Sequence, residues 1–496
     1  MLKILKTDHK DAEGWRFDNS YARLPQSLYR RVHPVPVADP KLLILNEQLA
    51  SELGVDAGAL REAGADLFAG NRLPEGTDPI AQAYAGHQFG HFTNLGDGRA
   101  VLLAEHLTPQ GRRFDIQLKG AGQTPYSRRG DGRAALGPML REYIVSEAMH
   151  ALGISTTRSL AVASTGEQIV RDEMLPGAVL TRVAASHIRV GTFEYANALG
   201  DRASLEALTS HTLQRHYPEL SDAENKALAL LGAVIERQAE LVARWLCVGF
   251  VHGVMNTDNM ALSGETIDYG PCAFLDTYHP ETVFSSIDRG ERYAYGNQPD
   301  IAHWNLARLA EALLPLIDSD QAKALAAAEE VLAKFPKEFH GHHQAGLRAK
   351  LGLITEEEGD WELAQQLLES MQVTGSDFTS IFVALTKSVE KGQLAAVPLF
   401  ENPTFFAWHE RWVSRLERQN HTKLEIAATM RRANPVIIPR NHRVEEALAA
   451  AQSGDLRILH RLLEAVGKPF EETPANEPFR GAPPPGGNAY RTFCGT

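Results

Sequence analysis

The segment from 249 to 276, GFVHGVMNTDNMALSGETIDYGPCAFLD, constrains this chain more than any other part of its sequence. Asn259 follows a His-Gly pair at 252–253, and Asp268-Tyr269-Gly270 ends the strand-like run ETIDYG. Amide and carboxylate oxygens are hard ligands that suit Mg²⁺ or Mn²⁺ bound to a polyphosphate. The segment therefore predicts a metal site in which Asn259 and Asp268 are the ligands. The alternative is that Asp268 is only a turn residue at a strand end.

The same segment departs from a known pattern at position 254. The catalytic loop of protein kinases runs H-x-D, with an asparagine five residues after that aspartate and a D-F-G-like metal motif further on. This chain has Val254 at the aspartate position, and an aliphatic side chain cannot accept a proton. Asp258 is the one carboxylate in the loop that could replace it, unless it merely caps a turn. The pattern favours a kinase-like site and disfavours ordinary phosphoryl transfer to a hydroxyl group.

The residues before this segment are mainly strand-like, and those after it are mainly helical. RRFDIQLKGAG at 112–122 alternates apolar and polar residues as a strand does, and the residues after Pro138 predict a helix. NLGDG predicts a turn between two strands, and SLAVAST and QIVRDE predict two further strands. Ser221 with Glu224 predicts a capping box that opens a long helix.

This order of elements predicts an α+β protein with a protein-kinase-like two-lobed fold, a mainly β N-lobe and a mainly helical C-lobe. The predicted divisions are an N-terminal extension at 1–85, an N-lobe with nucleotide-binding elements at 86–195, a helical C-lobe with the catalytic and metal loop at 196–465, and a Pro/Gly-rich tail at 466–496 that carries Cys494.

Three features of the predicted N-lobe together suit nucleotide binding, although each alone has a plain structural explanation. The turn Gly96-Asp97-Gly98-Arg99 could bring N–H groups and a guanidinium close to phosphates, or it is an ordinary hairpin turn. Lys119 lies on a strand where kinases keep the lysine that contacts phosphates, or it is a solvated edge residue. Glu142, on the following helix, is its candidate ion-pair partner or a surface carboxylate.

Arginines add local positive charge. Arg182 and Arg189 could converge on one anion, because forked guanidinium groups suit a terminal phosphate, or both are solvated surface residues. Three more arginines flank Asp131-Gly132: Arg128, Arg129 and Arg133. In an acidic chain this contrast favours a nucleotide or another polyanion as the ligand.

Composition argues against several other classes of protein. The 496 residues include 50 Lys and Arg against 62 Asp and Glu, a formal charge of −12, which disfavours a general nucleic-acid-binding protein. Three cysteines are too few for a disulfide-built secreted scaffold, and no apolar stretch suits a signal peptide or a membrane span. We expect a cytoplasmic, monomeric enzyme that binds neither nucleic acid nor membrane.

Two histidine groups, His87 with His91 and the FHGHHQ cluster of His340, His342 and His343, are expected to be structural, because no Cys or Glu lies near them at metal-binding spacing.

Taken together, long literal motifs resemble the selenoprotein O family over nearly the whole chain. They are AYAGHQFGHF, NLGDGRA, DIQLKGAGQTPYSRRGDGRAAL, HGVMNTDNM, DYGP, NQPDIAHWNLARLAEAL and NPVIIPRNH. The resemblance implies a pseudokinase that lacks the usual base and binds ATP in a flipped orientation. AMP, rather than phosphate, would then pass to Ser, Thr or Tyr hydroxyls of protein substrates (AMPylation), with release of pyrophosphate. It also implies that UTP with Mn²⁺ can serve for UMPylation.

The resemblance assigns roles to residues that match the family's motifs. Asp258 matches the proposed proton acceptor, and Asn259 and Asp268 match the ligands of Mg²⁺ or Mn²⁺. Glu142 matches the partner of the nucleotide-binding lysine. The nucleotide contacts are Gly96, Gly98, Arg99, Lys119, Asp131, Gly132, Arg182 and Arg189.

The resemblance also implies redox control, because Cys494 lies where some animal members carry selenocysteine. Its partner could be Cys272 or Cys247. Two other functions stay open: an atypical kinase that uses Asp258 to move the γ-phosphate, and a catalytically dead nucleotide sensor that binds partner proteins through its helical lobe.

Overall fold

A computed structural model describes residues 13–392, 397–484 and 490–492. Within these ranges the chain forms twelve strands and fifteen α-helices, besides short 3-10 turns, which confirms the expected α+β class. The strands are β1 (Tyr29–Arg31), β2 (Lys41–Leu45), β3 (Ile80–Gln82), β4 (Ala85–Gln88), β5 (His91–Asn94), β6 (Ala100–Leu107), β7 (Arg113–Lys119), β8 (Ala134–Ala135), β9 (Arg158–Val170), β10 (Met174–Ala184), β11 (Phe250–Val251) and β12 (Ala273–Phe274). The helices are α1 (Glu47–Leu53), α2 (Ala57–Ala69), α3 (Leu136–Ala151), α4 (Val190–Ala198), α5 (Arg202–His216), α6 (Lys226–Val248), α7 (Gln298–Ile317), α8 (Gln321–Leu332), α9 (Phe335–Lys350), α10 (Asp360–Thr374), α11 (Phe378–Lys391), α12 (Pro403–Arg418), α13 (Lys423–Ala433), α14 (Asn441–Gln452) and α15 (Arg457–Val466).

An antiparallel sheet of eight described strands forms the N-terminal half of the molecule. Its order is β1-β3-β6-β7-β10-β9-β2, and β8 pairs with β10. Because β1, β2 and β3 come from residues before 85, the sheet extends across the predicted boundary at that residue. Strands β4 and β5 form a separate two-stranded hairpin, which lies against the loop that follows α6.

Strand β7 determines where polar groups enter the interior. Ile116 and Leu118 occupy one face and are buried in apolar clusters, as the alternation of the sequence predicts. Asp115, Gln117 and Lys119 share the opposite face and are also buried. Buried polar groups need hydrogen-bond or ionic partners, so this face of β7 requires charged side chains from other elements.

The helical half packs around α6, which contacts α7, α8 and α9. After α6, strand β11 pairs with β12, and this pairing closes the intervening residues 252–272 into a compact loop. Isolated bridges join that loop to the other half of the chain, between Thr156 and Thr266 and between Arg189 and Ala261. The loop therefore lies at the junction of the two halves. Within the described ranges, no helix has both the length and the apolar character of a membrane span.

Two local predictions are wrong. SLAVAST and the first three residues of QIVRDE belong to the single strand β9, and residues 171–173 lie between β9 and β10. Gly166, with φ +71°, and a register shift opposite it keep the pairing with β10 through the bend. The predicted NLGDG turn does lie between two strands, β5 and β6, although β5 pairs with β4 whereas β6 pairs with β3 and β7. Helix α6 begins with Asn225 as its N-cap, whose side chain accepts from Leu228 N, because Ser221 belongs to the preceding short helical turn.

Candidate active site

A cavity of about 480 Å³ lies where the sheet meets the 252–272 loop, and this volume suits a small-molecule ligand. The sheet side contributes residues of β7 and β10 and of the glycine turn, and the other side is the loop. Among the lining residues are Gly98, Arg99, Lys119, Arg182, Arg189, Val254, Asp258, Asn259 and Asp268. The structure thus brings most of the sequence-predicted residues to one cavity.

Asp268 is the centre of a buried ion cluster at this cavity. Lys119 Nζ donates to Glu142 Oε2 at 2.6 Å and to Asp268 Oδ1 at 2.9 Å. Arg182 Nη1 donates to Asp268 Oδ1 at 2.5 Å, and Arg189 Nη1 donates to Asp268 Oδ2 at 3.3 Å. Burial alone would raise the pKa of Asp268, but the three cations outweigh burial and hold that pKa well below its usual range.

The local backbone explains how these side chains meet. Lys119 ends β7, and Arg182 lies opposite Gln117 on the neighbouring strand β10, where both Nε and Nη2 donate to Gln117 Oε1. Arg189 is the N-cap of α4. Asp268 has φ +61°, a left-handed conformation that aspartate adopts more readily than most residues. The sharp turn there directs its carboxylate toward the three cations.

The short helical turn Thr257–Asn259 supplies the other predicted residues. Asn259 Nδ2 donates to Val254 O at 2.9 Å, so Oδ1 is the atom of this amide that could bind a cation. Asp258 is buried, and its Oδ1 has no hydrogen-bond partner among the described residues. Burial raises the pKa of Asp258 to about 7. Val254 lines the cavity but offers no group for proton transfer.

These oxygen donors fit a divalent cation. Asn259 Oδ1 and the Asp268 carboxylate belong to residues on one cavity, and hard oxygen ligands suit Mg²⁺ and Mn²⁺. In the described part of the chain, no three His, Cys, Asp or Glu residues form a metal cluster. The coordination would therefore depend on the Asn259 amide and on oxygens of a bound nucleotide.

Comparison with known proteins identifies the family. A family model described as "Protein adenylyltransferase SelO" matches residues 13–467. The chain belongs to the SelO family. Curated relatives carry the name "Protein nucleotidyltransferase YdiU". The protein of Geobacillus kaustophilus is 60% identical over 485 residues, covering 97% of this chain and 99% of the relative. That of Bacillus cytotoxicus is 57% identical over 493 residues, covering 99% and 100%. That of Syntrophotalea carbinolica is 57% identical over 485 residues, covering 97% and 98%.

SelO membership confirms the predicted kinase-like fold and the predicted enzyme class, a protein nucleotidyltransferase. Membership of this family also agrees with binding of a nucleotide and a divalent cation, the two ligands that the cavity suits. The roles of individual residues in this SelO-family chain stay predictions, and their positions are the basis for the proposals below.

Three predicted nucleotide contacts, and the predicted partner of Lys119, are not on the cavity wall. Gly96, Asp131, Gly132 and Glu142 are not among the described residues that line it. A Cβ on Gly96 would lie 2.4 Å from the Tyr126 ring, and one on Gly132, whose φ is +68°, would lie 2.1 Å from the Gly122 carbonyl oxygen. Asp131 is half-exposed and pairs with Arg171 at 2.9 Å. These residues support the glycine-rich loops around the cavity.

Sequence reasoning missed part of the cavity wall. Tyr84, Phe89 and Asn256 line it, and the Tyr84 ring lies 4.4 Å from the guanidinium carbon of Arg189. Asp97 also lines the cavity, and burial raises its pKa to about 6. The available signal for Tyr84 and Phe89 was the AYAGHQFGHF motif, and that for Asn256 was HGVMNTDNM. Neither motif has a spacing that indicates which of its residues face a ligand.

The cysteine prediction lies partly outside the described residues, since Cys494 is beyond 492. Burial raises the pKa of Cys272 to about 12 and that of Cys247 to about 11, so neither thiol is activated. Thr492 Oγ1 donates to Pro271 O at 2.9 Å, and the last described residues therefore lie beside Cys272.

Proposed function

We propose that this SelO-family protein transfers AMP from ATP to Ser, Thr or Tyr hydroxyl groups of acceptor proteins and releases pyrophosphate. The observation that carries the proposal is the convergence of Lys119, Arg182 and Arg189 on one carboxylate at the cavity. A protein kinase needs one such lysine, so the two arginines supply positive charge for a triphosphate seated differently. A cytoplasmic, monomeric protein that contacts neither nucleic acid nor membrane remains part of the proposal.

In this proposal Lys119, Arg182 and Arg189 bind the phosphates of the nucleotide, and in its absence they pair with Asp268. With ATP bound, phosphate oxygens take the hydrogen bonds that Asp268 now accepts from Arg182 and Arg189. Gly98 permits close approach of the nucleotide because it carries no side chain, and Arg99 lies beside it. Asn259 and Asp268 would hold Mg²⁺ or Mn²⁺, which supplies charge neutralisation on the phosphates. We extend the proposal to UMP transfer from UTP on the same residues.

Asp258 is the proposed proton acceptor. The acceptor hydroxyl oxygen forms a bond to the α-phosphorus, the bond from that phosphorus to the bridging oxygen breaks, and pyrophosphate leaves. The hydroxyl proton passes to the carboxylate of Asp258, a residue that lines the cavity. Val254 cannot accept a proton at the position where a kinase has its base, so transfer of the γ-phosphate lacks its usual proton acceptor.

The test compares ATP labelled at the α-phosphate with ATP labelled at the γ-phosphate, using Mg²⁺ or Mn²⁺ and the proteins of a bacterial extract as acceptors. We expect protein labelled from the α-position alone, and no label with Asp268→Ala. Label from the γ-position alone would identify an atypical kinase. Tight ATP binding with no label from either position would instead indicate a nucleotide sensor. UTP labelled at the α-phosphate tests the extension to UMP.

A further inference from the structure

The hairpin of β4 and β5 is hydrogen-bonded to the catalytic turn 257–259. His87 N donates to Thr257 Oγ1 at 2.7 Å, and Phe89 N donates to Asn256 Oδ1 at 3.1 Å. The two segments also pack closely, because a Cβ on Gly86 would lie 2.1 Å from Asp258 Oδ1. The hairpin therefore forms one support of the turn that carries Asp258.

Helix α4 forms the second support. Thr257 Oγ1 donates to Glu194 Oε2 at 2.5 Å, and Glu194 Oε1 bonds His87 Nδ1. At the start of the same helix, Arg189 Nη1 donates to the carbonyl oxygen of Asp258 at 3.0 Å. Thr257 thus accepts a hydrogen bond from the hairpin and donates one to Glu194, which itself contacts the hairpin through His87.

Asp258 depends on these supports for its orientation. Its Oδ1 has no hydrogen-bond partner in the described residues, so no direct hydrogen bond to that atom fixes the carboxylate. Its position is determined by the backbone of the turn, and the turn is held by its neighbour Thr257. A reacting group must be held to a fraction of an ångström, since a displacement of about 1 Å can lower a rate about a hundredfold.

We propose that Glu194 and Thr257 act as one positioning unit, which holds the turn so that Asp258 faces the acceptor hydroxyl. This inference rests on the proposed function in that it takes Asp258 as the proton acceptor. Neither residue is required to contact ATP, since neither is among the described residues that line the cavity. The unit therefore affects the transfer step and leaves nucleotide binding nearly unchanged.

The test uses variants that keep the shape of each side chain. Glu194→Gln and Thr257→Val are each expected to lower the transfer rate at saturating ATP by about 10- to 100-fold, with the KM for ATP changed less than about threefold. Thr257→Ser keeps the hydroxyl and is expected to retain activity within about threefold of the wild type. The double variant is expected to be about as slow as the slower of the two single variants, because both changes break one unit. Losses that multiply, or a Thr257→Ser variant as slow as Thr257→Val, would overturn the inference.

Two matched controls separate positioning from general damage. Thr212→Val removes a buried hydroxyl that donates to Leu208 O within α5 at 2.8 Å, and Glu206→Gln removes an exposed carboxylate paired with Arg202. Both controls are expected to keep wild-type activity. Thermal unfolding of all variants is compared with the wild type, and a loss of activity explained entirely by unfolded protein contradicts the inference.

Hydrogen exchange tests the positioning unit without reference to which phosphate the protein transfers. Peptides covering 252–262 are expected to exchange at least about tenfold faster in Glu194→Gln and Thr257→Val than in the wild type, whereas peptides of α6 are expected to be unchanged. If the wild type transfers only the γ-phosphate, the proposed function fails, yet the same variants still test the unit on that reaction. Unchanged exchange at 252–262 in both variants would contradict the inference even if AMP transfer is established.

Discussion

Strand β7 carries two buried ion clusters, one at each end of its polar face, and they differ in their balance of charge. At one end, Asp115 accepts from Arg215 Nη2 at 2.6 Å and from His187 Nδ1 at 3.0 Å. Arg215 also pairs with Glu105, which accepts from Arg113 at 3.1 Å. We call these five residues the rear cluster. Its ion pairs join two arginines to Asp115 and Glu105, and Arg113 pairs in addition with Asp18. Burial keeps the histidine neutral by lowering its pKa to about 4.

At the other end of β7 lies the cleft cluster, which consists of Lys119, Glu142, Arg182, Arg189 and Asp268. Its ion pairs join three cations to two carboxylates, and the cluster lies at the 480 Å³ cavity, whose wall also includes Asp97 and Asp258. Arg189 Nη2 is buried without a hydrogen-bond partner among the described residues. Because a buried charge needs compensation, the surplus cation favours an anionic ligand. The comparison teaches that charge balance, more than burial, separates a binding cluster from a structural one.

The largest expected effect comes from removing the centre of the cleft cluster. Asp268→Ala deletes the proposed metal ligand, and the rate of AMP transfer is expected to fall at least about 1,000-fold, or about 4 kcal/mol in activation free energy. The measurement is label transfer from ATP labelled at the α-phosphate. The matched control is Asp115→Ala in the rear cluster, whose folded fraction is expected to stay active. Equal loss of transfer in both variants, at equal folded fraction, would remove the distinction between the clusters.

The rear cluster is expected to matter for stability instead. Arg215→Met leaves Glu105 and Asp115 buried with too little positive charge, so the free energy of unfolding is expected to fall by about 3–5 kcal/mol. Urea unfolding followed by circular dichroism measures this change. Transfer per folded molecule is expected to remain near the wild-type rate, and a specific loss of activity at full folding would show that the rear cluster also serves the reaction.

How much of these clusters the sequence reveals depends on the kind of pattern involved. Lys119, Asn259 and Asp268 were accessible because kinase-like loops have a known spacing, and the alternation of β7 predicted which residues share a face. The rear cluster was not found, since Arg215 and Asp115 are far apart in the chain and belong to no motif. Polar residues on a strand usually face solvent, but both faces of β7 are buried, so that interpretation is wrong for Asp115.

The same limit applies to the supports of the catalytic turn. His87 was expected to be structural, but the sequence did not show what it contacts, and Glu194 had no recognisable spacing. In the structure both residues contact Thr257. Their contacts arise from the packing of the hairpin against α4, where a Cβ on Gly191 would lie 1.9 Å from Ala85 O. A single sequence carries no local signal for such a tertiary contact.

The third prediction concerns how His187, in the rear cluster, makes the free energy of unfolding of the protein depend on pH. Burial lowers the pKa of His187 from 6.5 to about 4. Between these values the unfolded chain binds a proton that the folded chain does not, so stability falls as the pH drops from about 6.5 to 4 and levels off below that. The contribution is about 3 kcal/mol. Urea midpoints between pH 7.5 and 4 measure it, and His187→Asn is expected to show a shallower decline than the wild type; an identical decline would assign the effect to other groups.

The smallest expected effect tests the surplus charge directly. Lys119→Ala leaves Arg182 and Arg189 facing Glu142 and Asp268, so two cations remain for two carboxylates and the cluster becomes balanced. We therefore expect little loss of folding stability, in contrast to the loss of a cation from the rear cluster. ATP affinity is expected to fall about 10- to 100-fold, or about 1–3 kcal/mol, as measured by calorimetric titration. A variant that binds ATP as tightly as the wild type would show that the arginines alone hold the phosphates. One that unfolds as readily as Arg215→Met would show that Lys119 is structural, and either result would reject charge surplus as the basis of nucleotide binding.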